Sequence, residues 1–248
     1  MTAPRLCAVV PSHNHWRALG EVLAPLRAAG LAVFVVDDAS GEPARAAIAA
    51  LAGDGVTVAR HARNLGKGGA VLTGLRLAGA AGFTHALQVD ADGQHDLSVL
   101  PRLLAAARAH PRALVCGDPV FDASAPAARR IGRRITRFWA AVETLCPRLP
   151  DTMCGLRIYP LAAVERLTTR VRLGRRMEFD IEILVRLVRD GVPLVRVPVA
   201  VRYRDDNFSN FALFADNWRI SLMHARLALT LPLCAIRLLR RPPVVLDG

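Results

Sequence analysis

Lysine is almost absent from this chain of 248 residues: of 33 basic residues only one, Lys67, is not an arginine. Aromatics are scarce too, with two tyrosines and three tryptophans. The formal charge of +12 therefore lacks the interleaved stacking residues of a nucleic-acid surface, and no nucleic-acid-binding module stands beside it. Five cysteines (Cys7, Cys116, Cys146, Cys154 and Cys234) lack paired spacing, which argues against a disulfide frame or zinc site and for reduced thiols. No linker, low-complexity tract or internal repeat divides the chain, and its length suffices for one sizeable core. Met1 to Arg5 lead almost directly into an apolar strand without a signal-like segment, so a cytoplasmic location is expected. Long apolar runs are missing as well. Ten uncharged residues, Pro232 among them, separate Arg226 from Arg237, whereas a membrane-spanning helix needs about 20.

What is present is an alternation of short apolar runs and helical periodicities. Leu6–Val10 reads as a strand, and Leu19, Val22, Leu23 and Leu26 recur at helical spacing until Gly30. Leu31–Val36 is a second strand ending in Asp37 and Asp38, followed by turn residues and an alanine-rich helix to about Leu51. Gly55–Ala59 is a third strand, Ala70–Leu77 a helix, and the run from His85 to Asp90 a fourth strand. Further strands are expected at Ala113–Gly117 and Leu194–Val201, with Asp151–Arg157 leading into Ile158-Tyr159, a helix over Met177–Val188 and a polar loop over Tyr203–Asn210. This alternation implies an α/β fold with a mostly parallel sheet, in which ligands bind beyond the carboxyl ends of the strands.

Four polar clusters fall at those ends: Pro11–His15, Asp37–Asp38, Asn64–Gly68 and Asp90–Gln94. Asp90 and Asp92 are two carboxylates that repel unless a cation or donor lies between them. They suggest a divalent metal held by hard oxygen ligands, with Gln94 adding a third oxygen; a solvated turn is the alternative. The Asn64–Gly69 loop places glycines and Lys67 before a helix, where free N–H groups and the helix dipole favour a phosphate, although the spacing is not that of a Walker A loop. Arg129, Arg130, Arg133, Arg134 and Arg137 form a basic stretch with Ile131, Ile135, Phe138 and Trp139 on its apolar side. That stretch suits phosphates or anionic headgroups, or is a solvated face. Asp180 falls in the first turn of the helix over Met177–Val188, off its apolar face.

Val-Pro-Ser-His-Asn at 10–14, Val-Val-Asp-Asp-Ala-Ser at 35–40, Asn-Leu-Gly-Lys-Gly-Gly at 64–69 and Asp-Ala-Asp-Gly-Gln-His at 90–95 occur in this order. Together they resemble family 2 glycosyltransferases of the GT-A fold. Asp-Thr-Met-Cys-Gly-Leu-Arg at 151–157, Glu-Phe-Asp-Ile-Glu-Ile-Leu at 178–184 and Ser-Asn-Phe at 209–211 look most like the polyprenyl-phosphate sugar transferase branch and the small transferases of aryl-polyene-type gene clusters. The resemblance runs from about Leu6 to Phe211. It implies a Rossmann-like sheet flanked by helices over 1–211 and sets apart a C-terminal amphipathic helical appendage over 212–248. It also implies that Pro11, His13, His15 and Asp38 line the base and ribose, where His13 and His15 replace a usual Tyr and Glu. Asn64, Lys67, Asp90 and Arg157 complete the nucleotide-sugar site by the same analogy, and Asp90, Asp92 and Gln94 match a metal and diphosphate motif for Mg²⁺ or Mn²⁺. Asp92 and Asp180 take the catalytic positions, Asp180 as the base if the acceptor is a hydroxyl. Ser209-Asn210-Phe211 departs from the Ser-His-Phe of many close relatives.

The expected reaction is inverting transfer of a sugar from a nucleotide-diphosphate sugar to a lipidic or polyprenyl-phosphate-like acceptor. A nucleotide-sugar-forming nucleotidyltransferase would show a glycine-rich signature at the first strand end, which Pro11–Asn14 lacks. Around residues 211–241, Trp218, Arg219, Arg226, Arg237, Arg240 and Arg241 are the mixture expected of helices lying in the headgroups of an anionic membrane surface, here the inner face of the cytoplasmic membrane. A helical pair packed on the sheet is the competing reading.

Overall fold

The computed structural model describes residues 3–120, 127–201 and 211–248; the polar loop with Ser209 and Asn210 lies outside the described residues. Strands β1 (Leu6–Ser12), β2 (Ala32–Asp37), β3 (Val56–Arg60) and β4 (His85–Gln88) are parallel, with β1 between β2 and β4. Beyond β4 come β6 (Arg157–Pro160), β5 (Leu114–Val120), β7 (Leu194–Ala200) and β8 (Val245–Asp247), giving the order β3-β2-β1-β4-β6-β5-β7-β8. Among the described strands only β6 runs antiparallel to its neighbours. That reversal brings its first residue, Arg157, opposite Gln88 and Cys116, at the edge where β1 and β4 end.

The period of two along a strand divides the core. On β1, Cys7 and Val9 face one layer while Ala8 and Val10 face the other. The second layer holds α1 (Leu19–Ala28), α2 (Ala44–Ala49) and α4 (Leu100–Ala109). The first holds α3 (Lys67–Ala80), α6 (Leu161–Thr168) and α7 (Phe179–Arg189). Gly74 lets α3 approach β1 closely, because a Cβ there would strike the Val9 side chain. Helix α7 was expected to bury one face. Instead ten of its eleven residues are buried, because α5 (Ala127–Thr144) and α8 (Leu213–Thr230) cover the side turned away from the sheet.

The segment after residue 211 shares this core. Ile220, Met223 and Leu227 of α8 join the same apolar cluster as Leu184 and Val188 of α7. The buried pair of His224 Nδ1 and Glu143 Oε1, 2.8 Å apart, ties α8 to α5. Arg189 of α7 donates to the carbonyls of Glu143 at 2.9 Å and Leu227 at 2.8 Å, joining three helices with one guanidinium. After α9 (Pro232–Arg240) the chain returns as β8, pairing parallel with β7. Among the described residues no single helix is long and apolar enough to cross a membrane; α8 and α9 pass that test only as a pair, bent by 69°.

Candidate active site

The carboxyl ends of β1, β2 and β4 open into a pocket of about 890 Å³, walled on the far side by α5, by Arg176 and Met177 before α7, and by α8. Pro11, His13, His15, Asp38, Asn64, Lys67, Asp90, Asp92 and Gln94 all line it, so the four polar clusters meet there. Arg157 and Asp180 are not among its lining residues.

Much of the expected donor surface is already engaged within the protein. Asp38 is buried; its carboxylate accepts from the backbone N–H of Leu65 at 2.8 Å and Gly66 at 2.7 Å, and from the His61 ring at 2.7 Å. The amide of Gly69 donates to the Arg175 carbonyl at 3.0 Å. Three amides of the glycine loop thus hold the loop in place rather than standing open for a phosphate. His13 Nδ1 lies 2.8 Å from the Asp38 carbonyl, and Asn64 Oδ1 accepts from Arg176 at 3.3 Å.

At the base of the pocket the two acidic motifs are joined through Lys67. Its ammonium lies 2.9 Å from Asp90 and 2.8 Å from Asp180 Oδ2. Asp180 Oδ1 accepts from Gln88 Nε2 at 3.1 Å, and Gln88 Oε1 accepts from the Tyr159 hydroxyl at 3.1 Å. Burial pushes the Tyr159 phenol up, so it stays a neutral donor. Burial opposes the charge on Lys67, but Asp180 and then Asp90 outweigh it and raise its pKa. Burial likewise opposes ionised Asp90, and Lys67 followed by His95 outweighs it, holding this carboxyl below the usual range. Arg157 is fully buried and donates to the backbone carbonyls of Asp180 and Thr152, the latter at 2.7 Å. Its placement fixes the start of α7 against the 151–152 turn, with no side-chain surface in the pocket.

Asp90 and Asp92 are thereby separated in kind. Asp92 Oδ1 accepts from the Gln94 amide at 3.1 Å within its own turn, and its side chain borders the pocket. Asp90 is clamped by Lys67 and packed on Gly155, where an added Cβ would run into its carboxylate. Gly155→Ala is therefore expected to cost about 2 kcal/mol through overpacking and to weaken donor binding as Asp90 shifts. Thermal denaturation with donor titration checks this; an unchanged melting temperature would show that Asp90 can step aside.

Several lining residues were not placed at the site by the sequence, although Arg133 stands in the basic stretch noted for phosphates. Arg133 and Thr136 reach the pocket from α5, Met177 from the turn before α7, and Asn217 and Ile220 from α8. His95 and Cys154 stand inside quoted motifs, and their 3.4 Å contact appears only in three dimensions. Burial disfavours a charged His95, but Cys154 and then Asp90 and Asp92 outweigh it, pushing its pKa up to about 9.

A profile of the family described as Glycosyl transferase family 2 matches residues 7–167, spanning β1 to α6 and the pocket's whole strand edge. The chain belongs to that family. This transferase is 29% identical over 211 residues to an undecaprenyl-phosphate mannosyltransferase of Micrococcus luteus, covering 81% of this chain and 85% of the relative. A mycobacterial protein of known structure superposes with a TM-score of 0.64 at 17% identity, over 97% of this chain and 76% of that one. The S. aureus TarS fragment 1–349, solved with UDP-GlcNAc, superposes with a TM-score of 0.61 at 15% identity, over 91% and 66% of the two chains. At such identities the structures establish a shared GT-A fold, and the family match sets aside the nucleotidyltransferase reading.

Proposed function

We propose that this transferase moves a sugar from a nucleotide-diphosphate donor onto the phosphate of a polyprenyl-phosphate-like lipid, with inversion, at the cytoplasmic face of an anionic membrane. The observation that carries the acceptor reading is the position of Asp180. Both of its carboxylate oxygens are occupied, by Lys67 at 2.8 Å and Gln88 at 3.1 Å, and it lies outside the pocket lining. A hydroxyl acceptor needs a base within reach of its proton. A phosphate is already an anion and needs a cation to place it, the role that Lys67 at the pocket base suits. The acceptor named for the M. luteus relative agrees.

A phosphate oxygen attacks the anomeric carbon on the face opposite the leaving diphosphate; the new carbon–oxygen bond forms as the bond to the nucleoside diphosphate breaks. The donor reading is supported by the pocket's place at the strand ends and by UDP-GlcNAc in the S. aureus structure of the same fold. Asp90, Asp92 and Gln94, which line the pocket together, form a hard-oxygen set suited to Mg²⁺ or Mn²⁺. No described group of three His, Cys, Asp or Glu side chains closes around one point, so such an ion would complete its ligands with the donor's diphosphate. When bound, it would neutralise charge on the leaving group.

The test is transfer from a panel of nucleotide sugars to a short-chain polyprenyl phosphate and to the corresponding alcohol, with Mn²⁺ or with a chelator. Product on the phosphate alone is expected; product on the alcohol would refute the acceptor reading. Asp180→Asn separates the two chemistries as well. Loss of a base would lower turnover by about 10²–10⁴-fold at unchanged donor affinity. With a phosphate acceptor, a loss of no more than about tenfold is expected, through disturbance of Lys67.

A further inference from the structure

We infer that α5 and α8 together form one face that docks on an anionic lipid bilayer, with the pocket mouth between them as the acceptor's way in. The acceptor's route rests on the function proposed above; the docking face does not. Both helices pack on α7 on the side away from the sheet, joined by the Glu143–His224 pair, so their outer surfaces look outward together. Those outer surfaces are apolar. Ile131, Ile135, Phe138 and Val142 follow helical spacing along α5, and Phe214, Trp218, Leu222 and Leu229 along α8, all exposed, with Phe138 at 62% and Phe214 at 89%. Apolar stripes that are exposed among the described residues on each of two neighbouring helices mark an interaction surface.

The charges choose the occupant. Exposed charged side chains described on α5, α8 and α9 are all arginines, including Arg130, Arg134, Arg137, Arg226 and Arg240. The only acidic residues of these helices, Glu143 and Asp216, are buried. A second copy of the chain would bring arginine against arginine, whereas apolar stripes flanked by arginine match acyl chains beneath anionic headgroups. The inner sides of the same helices, through Arg133, Thr136, Asn217 and Ile220, wall the pocket. A lipid whose tail stays in the bilayer can therefore pass its phosphate end between them toward Lys67.

Vesicle flotation of the full chain tests this, with phosphatidylglycerol-containing and pure phosphatidylcholine vesicles at physiological salt. Binding to the anionic vesicles alone is expected, with Trp139 and Trp218 fluorescence quenched by brominated acyl chains. Ile135→Glu/Phe138→Glu on α5 and Phe214→Glu/Trp218→Glu on α8 should each reduce partitioning by about tenfold or more. The exposed positions leave the core untouched, and an unchanged thermal shift with nucleotide sugar confirms that the variants fold. A parent chain that ignores anionic vesicles, or an α5 variant that binds them as the parent does, overturns the inference. So does a parent that forms a dimer which the substitutions dissolve, or one that binds an acidic protein through this face and no vesicle. A chain that docks normally yet glycosylates only an alcohol overturns the acceptor reading and leaves the docking face standing.

Discussion

Lys67→Met is expected to be the most damaging single change in the pocket, lowering stability by about 3–5 kcal/mol as well as stopping transfer. The ammonium is the shared partner of Asp90 and Asp180, whose side chains are only 20% and 4% exposed. Removing it leaves two carboxylates without the ammonium they share, with His95 still beside Asp90, and breaking a buried pair from one side costs about that much. The variant should respond by keeping one carboxyl protonated, which gives a signature in pH. In the parent, depressed Asp90 contributes stability that is present above its ordinary value of 3.8 and is lost as pH falls through its lower folded value. Raised Lys67 contributes stability that is complete below 10.5 and lost only as pH rises through its higher folded value. In the variant the retained proton reverses the carboxylate's sign, so its deficit should widen as pH rises from about 4 to 7. Denaturant unfolding across that range measures it. A deficit independent of pH would show that Lys67 does not hold the two carboxylates.

Asp92→Ala should produce the opposite profile: transfer falls by about a hundredfold or more while stability stays within about 1 kcal/mol of the parent. Both residues line the pocket, but only Asp90 is also clamped by the Lys67 ammonium and packed on Gly155. Asp90→Ala should therefore lose stability together with activity. Calorimetry of nucleotide-sugar binding with and without Mn²⁺, alongside thermal denaturation, separates the two. Unchanged metal-dependent affinity in Asp92→Ala would end the assignment of an ion to this turn.

The sequence by itself determined the layered α/β architecture and the edge on which the polar clusters meet. Both follow from local rules, since apolar runs and helical periodicities define strands and helices, and parallel strands bring their carboxyl ends together. It also carried the ordered motifs by which the family could be recognised. It did not show α4, α6 or β8: two short alanine-containing helices and a three-residue strand whose pairing exists only because β7 offers an edge. Nor did it show that α7 is covered on both sides, because a single periodicity reveals one apolar face and not what lies over the other. The surroundings of the candidate site residues were decided by tertiary structure. Lys67 and Asp90 are 23 positions apart and Gln88 and Asp180 are 92 apart, so no local pattern could reveal that Lys67 joins two acidic motifs or that Asp180 is not among the pocket's lining residues. Spacing makes Asp90 and Asp92 look equivalent, and both line the pocket; side-chain packing separates them, because the Asp90 carboxylate lies against a glycine and an ammonium while Asp92 accepts from the Gln94 backbone N–H within its own turn.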